Sequence, residues 1–170
     1  QKMVHHLYAQ ALKFADKVFF QNPDDLKLFH DMKLLDAKKP AVVVNGSGVN
    51  VQDFDVMPLP ENNEGEAKAS FLLIARLLGD KGVREYAEAA RIVKAKHPDA
   101  EFHLVGWIDD NPSAISQAEL DTWVADKTVN YWGKLSDVRP AIQASSVYVL
   151  PSYREGTPRT VLEAMAMGRA

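Results

Sequence analysis

One stretch decides the fold class of this chain: residues 147–163, with the sequence VYVLPSYREGTPRTVLE. Its first four residues, VYVL, form a continuous apolar run, which predicts a buried strand. Thr157 is a favourable N-cap and Pro158 fits the first helical position, so a helix is predicted from 158 to about 167. In open α/β sheets, ligands bind where a strand runs into a loop and then a helix. The stretch therefore predicts a ligand site at the carboxyl end of a strand.

Two glutamates belong to this predicted strand–loop–helix unit. Glu155 comes just before the helix start, and Glu163 falls in the second turn of the helix. The free N–H groups and the dipole at a helix start favour an anion such as a phosphate, whereas a carboxylate is a good acceptor for sugar or ribose hydroxyls. We therefore predict a ligand that carries both phosphates and hydroxyls. The alternative is that Glu163 is an ordinary polar residue of an amphipathic helix.

Upstream of this stretch, apolar runs alternate with helical patterns. Strands are predicted at 71–75, 101–105, 129–132 and 147–150, and helices at 83–96, 116–125, 138–144 and after 158. Strands that alternate with helices form parallel sheets with right-handed crossovers. We therefore predict a Rossmann-like, doubly wound α/β fold, in which the first and fourth strands can be neighbours at the switch point of the sheet.

A polar cluster follows the first of these strands, within the sequence ARLLGDKG at 75–82. Arg76 and Lys81 flank a tight glycine turn at the carboxyl end of the strand. The planar fork of an arginine and the flexible charge of a lysine together suit a diphosphate. If the first and fourth strands are neighbours, these cations face one crevice with Glu155 and Glu163. The alternative is a solvated turn in which Lys81 is a surface charge.

The beginning of the chain has a different organisation. Apolar residues have helical spacing over 2–16, short apolar strands are predicted at 18–20 and 41–44, and a helix is predicted after Asn22. Residues 51–69 contain prolines, asparagines and glutamates, which predicts a linker. We therefore divide the chain into 1–50, a linker at 51–69 and a Rossmann-like domain at 70–170. The chain begins at Gln1 rather than at a methionine, and Gly168 near its other end is a favourable helix C-cap after which another strand is expected. We therefore expect the chain to be truncated at both ends.

The composition argues against several classes of protein. The net charge of −3 and the scattered basic residues give no indication of nucleic-acid binding. There is no cysteine, which excludes disulfides and thiolate sites and allows a cytoplasmic location. No signal peptide is visible, and no apolar run reaches the ~20 residues of a membrane span. The five histidines lack metal-site spacing, and Pro112 after Asp109-Asp110-Asn111 favours a turn there over a divalent metal site. A GxGxxG fingerprint is absent, which disfavours a dehydrogenase.

The motifs resemble those of a known family. ARLLGDKG at 75–82, LVG at 104–106, WGKLSDV at 132–138 and LPSYREGTPRTVLEAMAMGR at 150–169 look like the retaining glycosyltransferases of the GT-B fold, in the large family four, the glycosyl transferases group 1. VFFQNPDD at 18–25 and NGSGVN at 45–50 also fit that family. The resemblance is greatest to bacterial enzymes that extend undecaprenyl-diphosphate-linked sugars in polysaccharide, glycan or capsule assembly. It implies that 70–170 is the carboxy-terminal, donor-binding half of a GT-B fold and that 1–50 is the tail of the acceptor domain.

The resemblance also implies roles for four charged residues. Arg76 and Lys81 match the residues that neutralise the donor diphosphate. Glu163 matches the glutamate that binds the ribose hydroxyls, and Glu155 matches the one that faces the donor sugar. Cations and helix N–H groups would then stabilise the leaving group without a metal or another cofactor. The choice between a nucleophilic and an orienting role for Glu155 stays open.

Two further parts of the donor site follow from the same match. Gly156, Thr157 and Pro158 match the loop whose backbone approaches the sugar and the phosphates. Leu135 lies where the nucleotide base usually rests.

The implied activity is the transfer, with retention, of a hexose or N-acetylhexosamine from a nucleotide sugar to a glycan or lipid-linked acceptor. The donor is expected to be UDP-linked, the process cell-surface polysaccharide synthesis, and the location the cytoplasm or the inner face of the cytoplasmic membrane as a peripheral protein. Because the body of the acceptor domain is missing, we expect this chain alone to bind nucleotide weakly and not to transfer sugar. Two alternatives remain: a nucleotide-binding Rossmann-like module without transferase activity, and a GT-B relative such as a nucleotide-sugar 2-epimerase.

Overall fold

The computed structural model describes residues 2–46 and 48–170 and contains two compact units. The first comprises the chain up to Gly48 together with Gly156–Arg159, and the second comprises Val49–Glu155 and Thr160–Ala170. Ser47, which belongs to the NGSGVN motif, lies outside the described residues. In chain order, the elements are α1 (Lys2–Lys13), β1 (Val18–Phe20), α2 (Pro23–Asp31), β2 (Ala41–Val43), β3 (Ser70–Ile74), α3 (Val83–Lys96), β4 (Glu101–Val105), α4 (Gln117–Ala125), β5 (Asn130–Gly133), α5 (Arg139–Gln143), β6 (Val147–Tyr148) and α6 (Arg159–Ala166), with short 3₁₀ turns at Val51–Asp53 and Gly79–Lys81.

The first unit is built on a parallel pair of strands, β1 and β2, in which Val18 pairs with Ala41. Asn22 caps α2, because its side-chain oxygen accepts a hydrogen bond of 2.6 Å from the backbone N–H of Asp25. The ammonium group of Lys39 donates to the carbonyl of Lys13, the last residue of α1, at 3.0 Å and to that of Ala15, just after the helix, at 2.8 Å. A cation is favourable there because the last carbonyls of a helix have no partner within the helix.

The second unit contains a four-stranded parallel sheet in the order β5-β4-β3-β6. The first and fourth strands of this unit, β3 and β6, are therefore neighbours, as predicted. Leu73 and Leu104 lie in a core cluster with residues of α3 and α4, whereas Leu72 and Val105 lie in a second cluster with residues of α5 and α6. Since adjacent strand residues point to opposite faces, helices cover both faces of the sheet, which confirms the doubly wound α/β fold.

Two boundaries near the predicted site differ from the expectation. Strand β6 contains two residues rather than four, although the ladder continues through a hydrogen bond of 2.8 Å from the N–H of Val149 to the carbonyl of Leu72. The chain then leaves the sheet at Pro151, which has no N–H to donate. Helix α6 begins at Arg159 rather than at Pro158, so Pro158 and not Thr157 precedes the first helical residue.

The end of α6 is fixed by a buried arginine. Gly168 adopts a positive φ of 78°, as a glycine that ends a helix should. Arg169 follows it and is only 3% exposed. Its guanidinium donates five hydrogen bonds to backbone carbonyls: those of Met57, Pro58, Ile142, Gln143 and Met167. This one side chain therefore ties the segment before β3 to the ends of α5 and α6.

Candidate functional site

The turn after β3 packs closely on the loop after β6. Gly82 has a φ of 69°, and a Cβ atom placed on it would lie 2.3 Å from the carbonyl oxygen of Pro151. Only glycine fits this position, because it tolerates both the positive φ and the close approach of another backbone. The N–H of Tyr153 donates to the carbonyl of Asp80 at 3.0 Å. These contacts bring together two loops that are far apart in the sequence.

Lys81 and Glu155 meet at this junction. Lys81 Nζ lies 2.7 Å from Glu155 Oε1, and the two side chains are 20% and 23% exposed. An ion pair that is mostly withdrawn from water is held more firmly than a surface pair, because solvent screens it less. The cation after the first strand and the acid before α6 therefore lie in one place, as the predicted crevice requires.

Arg76 contacts a different loop. Its Nη1 lies 3.2 Å from Asp109 Oδ2, and half of its side chain remains exposed. Asp109 is held in turn because its other oxygen accepts from the N–H of Asn111 at 3.0 Å. The side-chain oxygen of Asn111 accepts from the N–H of Ser113 at 2.9 Å. The segment predicted as a turn is thus a pair of Asx turns, and it supplies the ion-pair partner of Arg76.

Glu163 lies on α6 and is only 8% exposed. Thr160 lies on the same helix, and its Oγ1 is 2.6 Å from the hydroxyl oxygen of Tyr148. The same hydroxyl oxygen lies 3.3 Å from the carbonyl oxygen of Ile74. Burial raises the pKa of Tyr148 to about 12, and the negative charges of Glu155 and Glu163 contribute to the increase. Both negative charges therefore favour the protonated, neutral form of this hydroxyl.

The segment Gly156–Arg159, which follows Glu155, belongs to the first unit. A Cβ atom on Gly46, whose φ is 72°, would lie 2.5 Å from Thr157 Cβ. A Cβ atom on Gly156 would lie 2.4 Å from the side-chain oxygen of Gln21. A larger side chain at Gly46 would therefore collide with Thr157, whereas one at Gly156 would meet the side chain of Gln21, whose end can move.

The loop after β5 contains the residue predicted to lie near a base. Leu135 is half-buried and packs against the core cluster that includes Leu72. The neighbouring Lys134 places its Nζ 4.6 Å from the ring centroid of Trp107, which follows β4. This is a cation–π contact at the carboxyl ends of two adjacent strands.

Two residues of this region, Tyr148 and Thr160, were not singled out from the sequence, and the contact of Asp109 with Arg76 was not predicted. Tyr148 stands in an apolar run, and its hydroxyl group was the only indication of a polar contact. Asp109 lies in a segment that was correctly predicted as a turn, but the contact with Arg76 depends on a strand pairing that joins β3 to β4.

Among the described residues, no three His, Cys, Asp or Glu side chains are grouped so as to hold a metal ion. Nor is any helix in residues 2–46 and 48–170 both long and apolar enough to cross a membrane.

Comparison with known proteins identifies relatives over nearly the whole chain. The family model described as glycosyl transferases group 1 matches residues 68–170. The N,N'-diacetylbacillosaminyl-diphospho-undecaprenol alpha-1,3-N-acetylgalactosaminyltransferase of Campylobacter jejuni is 35% identical over 99% of this chain and 44% of its own length. The UDP-Gal:alpha-D-GlcNAc-diphosphoundecaprenol alpha-1,3-galactosyltransferase of Escherichia coli is 26% identical over 93% of this chain and 42% of its own length. The chain thus spans less than half the length of these curated relatives.

Solved structures of other proteins share the fold of this chain. A mutant of S. aureus TarM, solved with fondaparinux, alpha-GlcNAc-glycerol and UDP, has a TM-score of 0.73 at 16% identity over 99% of this chain and 31% of its own. Such structural neighbours are GT-B glycosyltransferases, of which the chain covers a fragment. At this identity the likeness shows the fold alone.

Proposed function

Because the chain belongs to the family of glycosyl transferases group 1, we propose that it is the donor-binding part of an enzyme that transfers a sugar from a UDP-sugar to an undecaprenyl-diphosphate-linked acceptor. The names of the relatives from Campylobacter jejuni and Escherichia coli support the acceptor class, and the second also supports UDP. The observation that carries the proposal is the contact of 2.7 Å between Lys81 and Glu155 at the junction of the β3 and β6 loops.

In this proposal, the donor diphosphate lies against the cations that follow β3. The ammonium group of Lys81 would contact a phosphate oxygen as well as Glu155. Arg76 contacts Asp109 through one nitrogen, and half of its side chain is exposed. Arginine carries five donors, so one bond to a carboxylate leaves others for a phosphate. Glu163 would accept from the ribose hydroxyls, and the base would lie near Leu135.

The chemistry then follows from charge. When the bond between the sugar and the diphosphate breaks, negative charge builds on UDP, and Arg76, Lys81 and the N–H groups at the start of α6 are placed to stabilise it. Glu155 faces the sugar carbon, which develops positive charge, and a carboxylate stabilises such a centre. The acceptor hydroxyl would bond to the same carbon with net retention, so that a glycosidic bond replaces the bond to the diphosphate and the hydroxyl proton leaves with UDP. Since cations of the protein neutralise the leaving group, we expect transfer to continue in the presence of EDTA.

The acceptor places the reaction at a membrane. A lipid-diphosphate acceptor stays anchored in the bilayer, whereas a UDP-sugar is dissolved in the cytoplasm. We therefore propose that the protein acts as a peripheral protein at the inner face of the cytoplasmic membrane, in the synthesis of a surface glycan. Flotation with vesicles that contain the lipid acceptor tests this, and equal flotation with vesicles that lack it would contradict the proposal.

The donor-binding role is tested by calorimetry on this chain with UDP, GDP and NAD. We expect binding of UDP and no binding of NAD. Binding of NAD without a response to UDP would instead favour a different nucleotide-binding module. For the whole enzyme of which this chain is the proposed donor-binding part, product analysis with radiolabelled UDP-sugars distinguishes transfer to a lipid from 2-epimerisation, because epimerisation leaves the label on the nucleotide sugar.

A further inference from the structure

One hydroxyl group connects two strand ends to a helix start. Tyr148 is the last residue of β6, and its hydroxyl oxygen lies 3.3 Å from the carbonyl oxygen of Ile74, the last residue of β3. The same oxygen lies 2.6 Å from Oγ1 of Thr160, in the first turn of α6. A phenol has one proton and can also accept, so it can satisfy both contacts at once.

The two predicted donor-binding acids both influence this hydroxyl through their charge. Thr160 and Glu163 are three residues apart on α6, so they lie on the same face of the helix. Glu155 and Glu163 both add to the rise in the pKa of Tyr148 that burial causes. The phenol therefore keeps its proton at neutral pH and remains a hydrogen-bond donor.

We infer that Tyr148 is a positioning residue of the donor site, which holds the first turn of α6, and with it Glu163, at the end of β3 through Thr160. The inference rests on the proposed function, because it assigns Tyr148 a part in binding a nucleoside diphosphate. Tyr148 itself does not need to touch the ligand. Small displacements of a binding group weaken the interactions it makes, so the loss of this contact should be measurable in ligand affinity.

A second tyrosine provides the matched control. The Tyr86 hydroxyl donates to the carbonyl of His103 at 3.0 Å, and the Tyr86 side chain is buried in the core between α3 and the sheet. Tyr86→Phe removes one hydroxyl and one hydrogen bond, as Tyr148→Phe does, but at a place remote from α6. If Tyr148 only stabilised the fold, the two variants would behave alike.

The experiment compares UDP and uridine binding to the unaltered chain and to four variants: Tyr148→Phe, Tyr86→Phe, Thr160→Val and Thr160→Ser. Thermal unfolding of each variant is measured alongside. We expect Tyr148→Phe and Thr160→Val each to weaken UDP binding by roughly threefold to tenfold, the effect of losing one hydrogen bond. Thr160→Ser, which keeps the hydroxyl, should bind as the unaltered chain does. Tyr86→Phe should lower the unfolding temperature and leave the UDP affinity within about twofold.

The double variant Tyr148→Phe/Thr160→Val completes the test. Because both changes break the same contact, it should bind UDP no more weakly than either single variant. Multiplicative losses, a failure of Thr160→Ser to restore binding, or equal effects of Tyr148→Phe and Tyr86→Phe would each overturn the role of Tyr148. If the unaltered chain binds no UDP, the proposed function is wrong as well, whereas UDP binding that Tyr148→Phe leaves unchanged refutes this inference alone.

Discussion

Replacement of Lys81 by methionine should weaken the binding of UDP far more than the binding of uridine. Methionine keeps most of the length of the side chain and removes its charge. A hydrogen bond from an ammonium to an ionised phosphate contributes about 1.5–3 kcal/mol, which corresponds to roughly 10-fold to 150-fold in Kd. Uridine has no phosphate, so its affinity should change by less than about twofold.

The contact with Glu155 places the expected loss towards the upper end of this range. Lys81 lies 2.7 Å from Glu155, so the variant also removes a positive charge between that carboxylate and the ligand. Two like charges about 6 Å apart repel each other by roughly 0.7 kcal/mol in water and by roughly 3 kcal/mol at an effective dielectric constant of about 20. The repulsion is screened by salt. The ratio of the Kd of the variant for UDP to that of the unaltered chain should therefore fall when the ionic strength is raised.

A lysine at the opposite end of the sheet is a matched control. Lys68 Nζ lies 2.6 Å from Glu101 Oε1, just before β3 and at the start of β4, with about a third of each side chain exposed. Lys68→Met therefore removes a similar ion pair, but one at the amino ends of the strands. Titration calorimetry of both variants with UDP, UMP and uridine at two salt concentrations gives the comparison. Equal UDP affinities for the two variants, or an equal loss for uridine and UDP, would refute the assignment of Lys81 to the diphosphate.

Three further predictions concern the second glutamate and the stability of the fold. Glu163→Gln should weaken UDP binding by about 0.5–1.5 kcal/mol while leaving unchanged the affinity for a UDP analogue that lacks both ribose hydroxyls, and an equal loss for the analogue would contradict the ribose contact. Arg169→Leu should lower the free energy of unfolding by about 3 kcal/mol or more, because buried carbonyl groups lose their hydrogen-bond donors, and should lower Tm by roughly 6–12 °C. Arg91→Leu on the exposed face of α3 is the control and should change Tm little. The hydrogen bond from Arg84 lowers the pKa of Glu119 from 4.5 to about 2, so its stabilising contribution is present above pH 4.5 and lost as the pH falls towards 2. Glu119→Gln should therefore make the free energy of unfolding depend less on pH in this interval, by at most about 1 kcal/mol for so exposed a pair. Urea titrations that show the same loss of stability between pH 4.5 and 2 in the variant and the unaltered chain would count against this.

Much of the fold could be predicted because its elements are marked locally. Helix α3 and strand β4 have the predicted bounds, since each is a regular apolar pattern between clear turn signals. Strand β6 is shorter than predicted because its length depends on how far β3 runs beside it, and the local sequence does not contain that information. The same limit explains Asp109, whose role as a partner of Arg76 depends on the pairing of β3 with β4.

Part of the candidate site could also be predicted from the sequence. The strand order that makes β3 and β6 neighbours is a regular property of doubly wound sheets, and it brings Lys81 to Glu155. Tyr148 was missed because a tyrosine in an apolar run is usually a core residue with a polar tip. Only the three-dimensional contact with Thr160 shows where that tip is directed.

The pairing of β3 with β6 also bears on the order in which the protein folds. Phe71 pairs with Val147, which lies 76 residues further along the chain, whereas Ser70 pairs with Glu101 after only 31 residues. By loop-closure entropy alone, the longer connection costs roughly 0.8 kcal/mol more, and long-range parallel pairing is slow. Lys81 and Glu155 come from the two sides of this late pairing, so a partly folded chain without β6 in place has no junction at which they can meet. A nucleoside diphosphate that binds at this junction would stabilise only the completed sheet, and its binding would thus report whether β3 and β6 have paired.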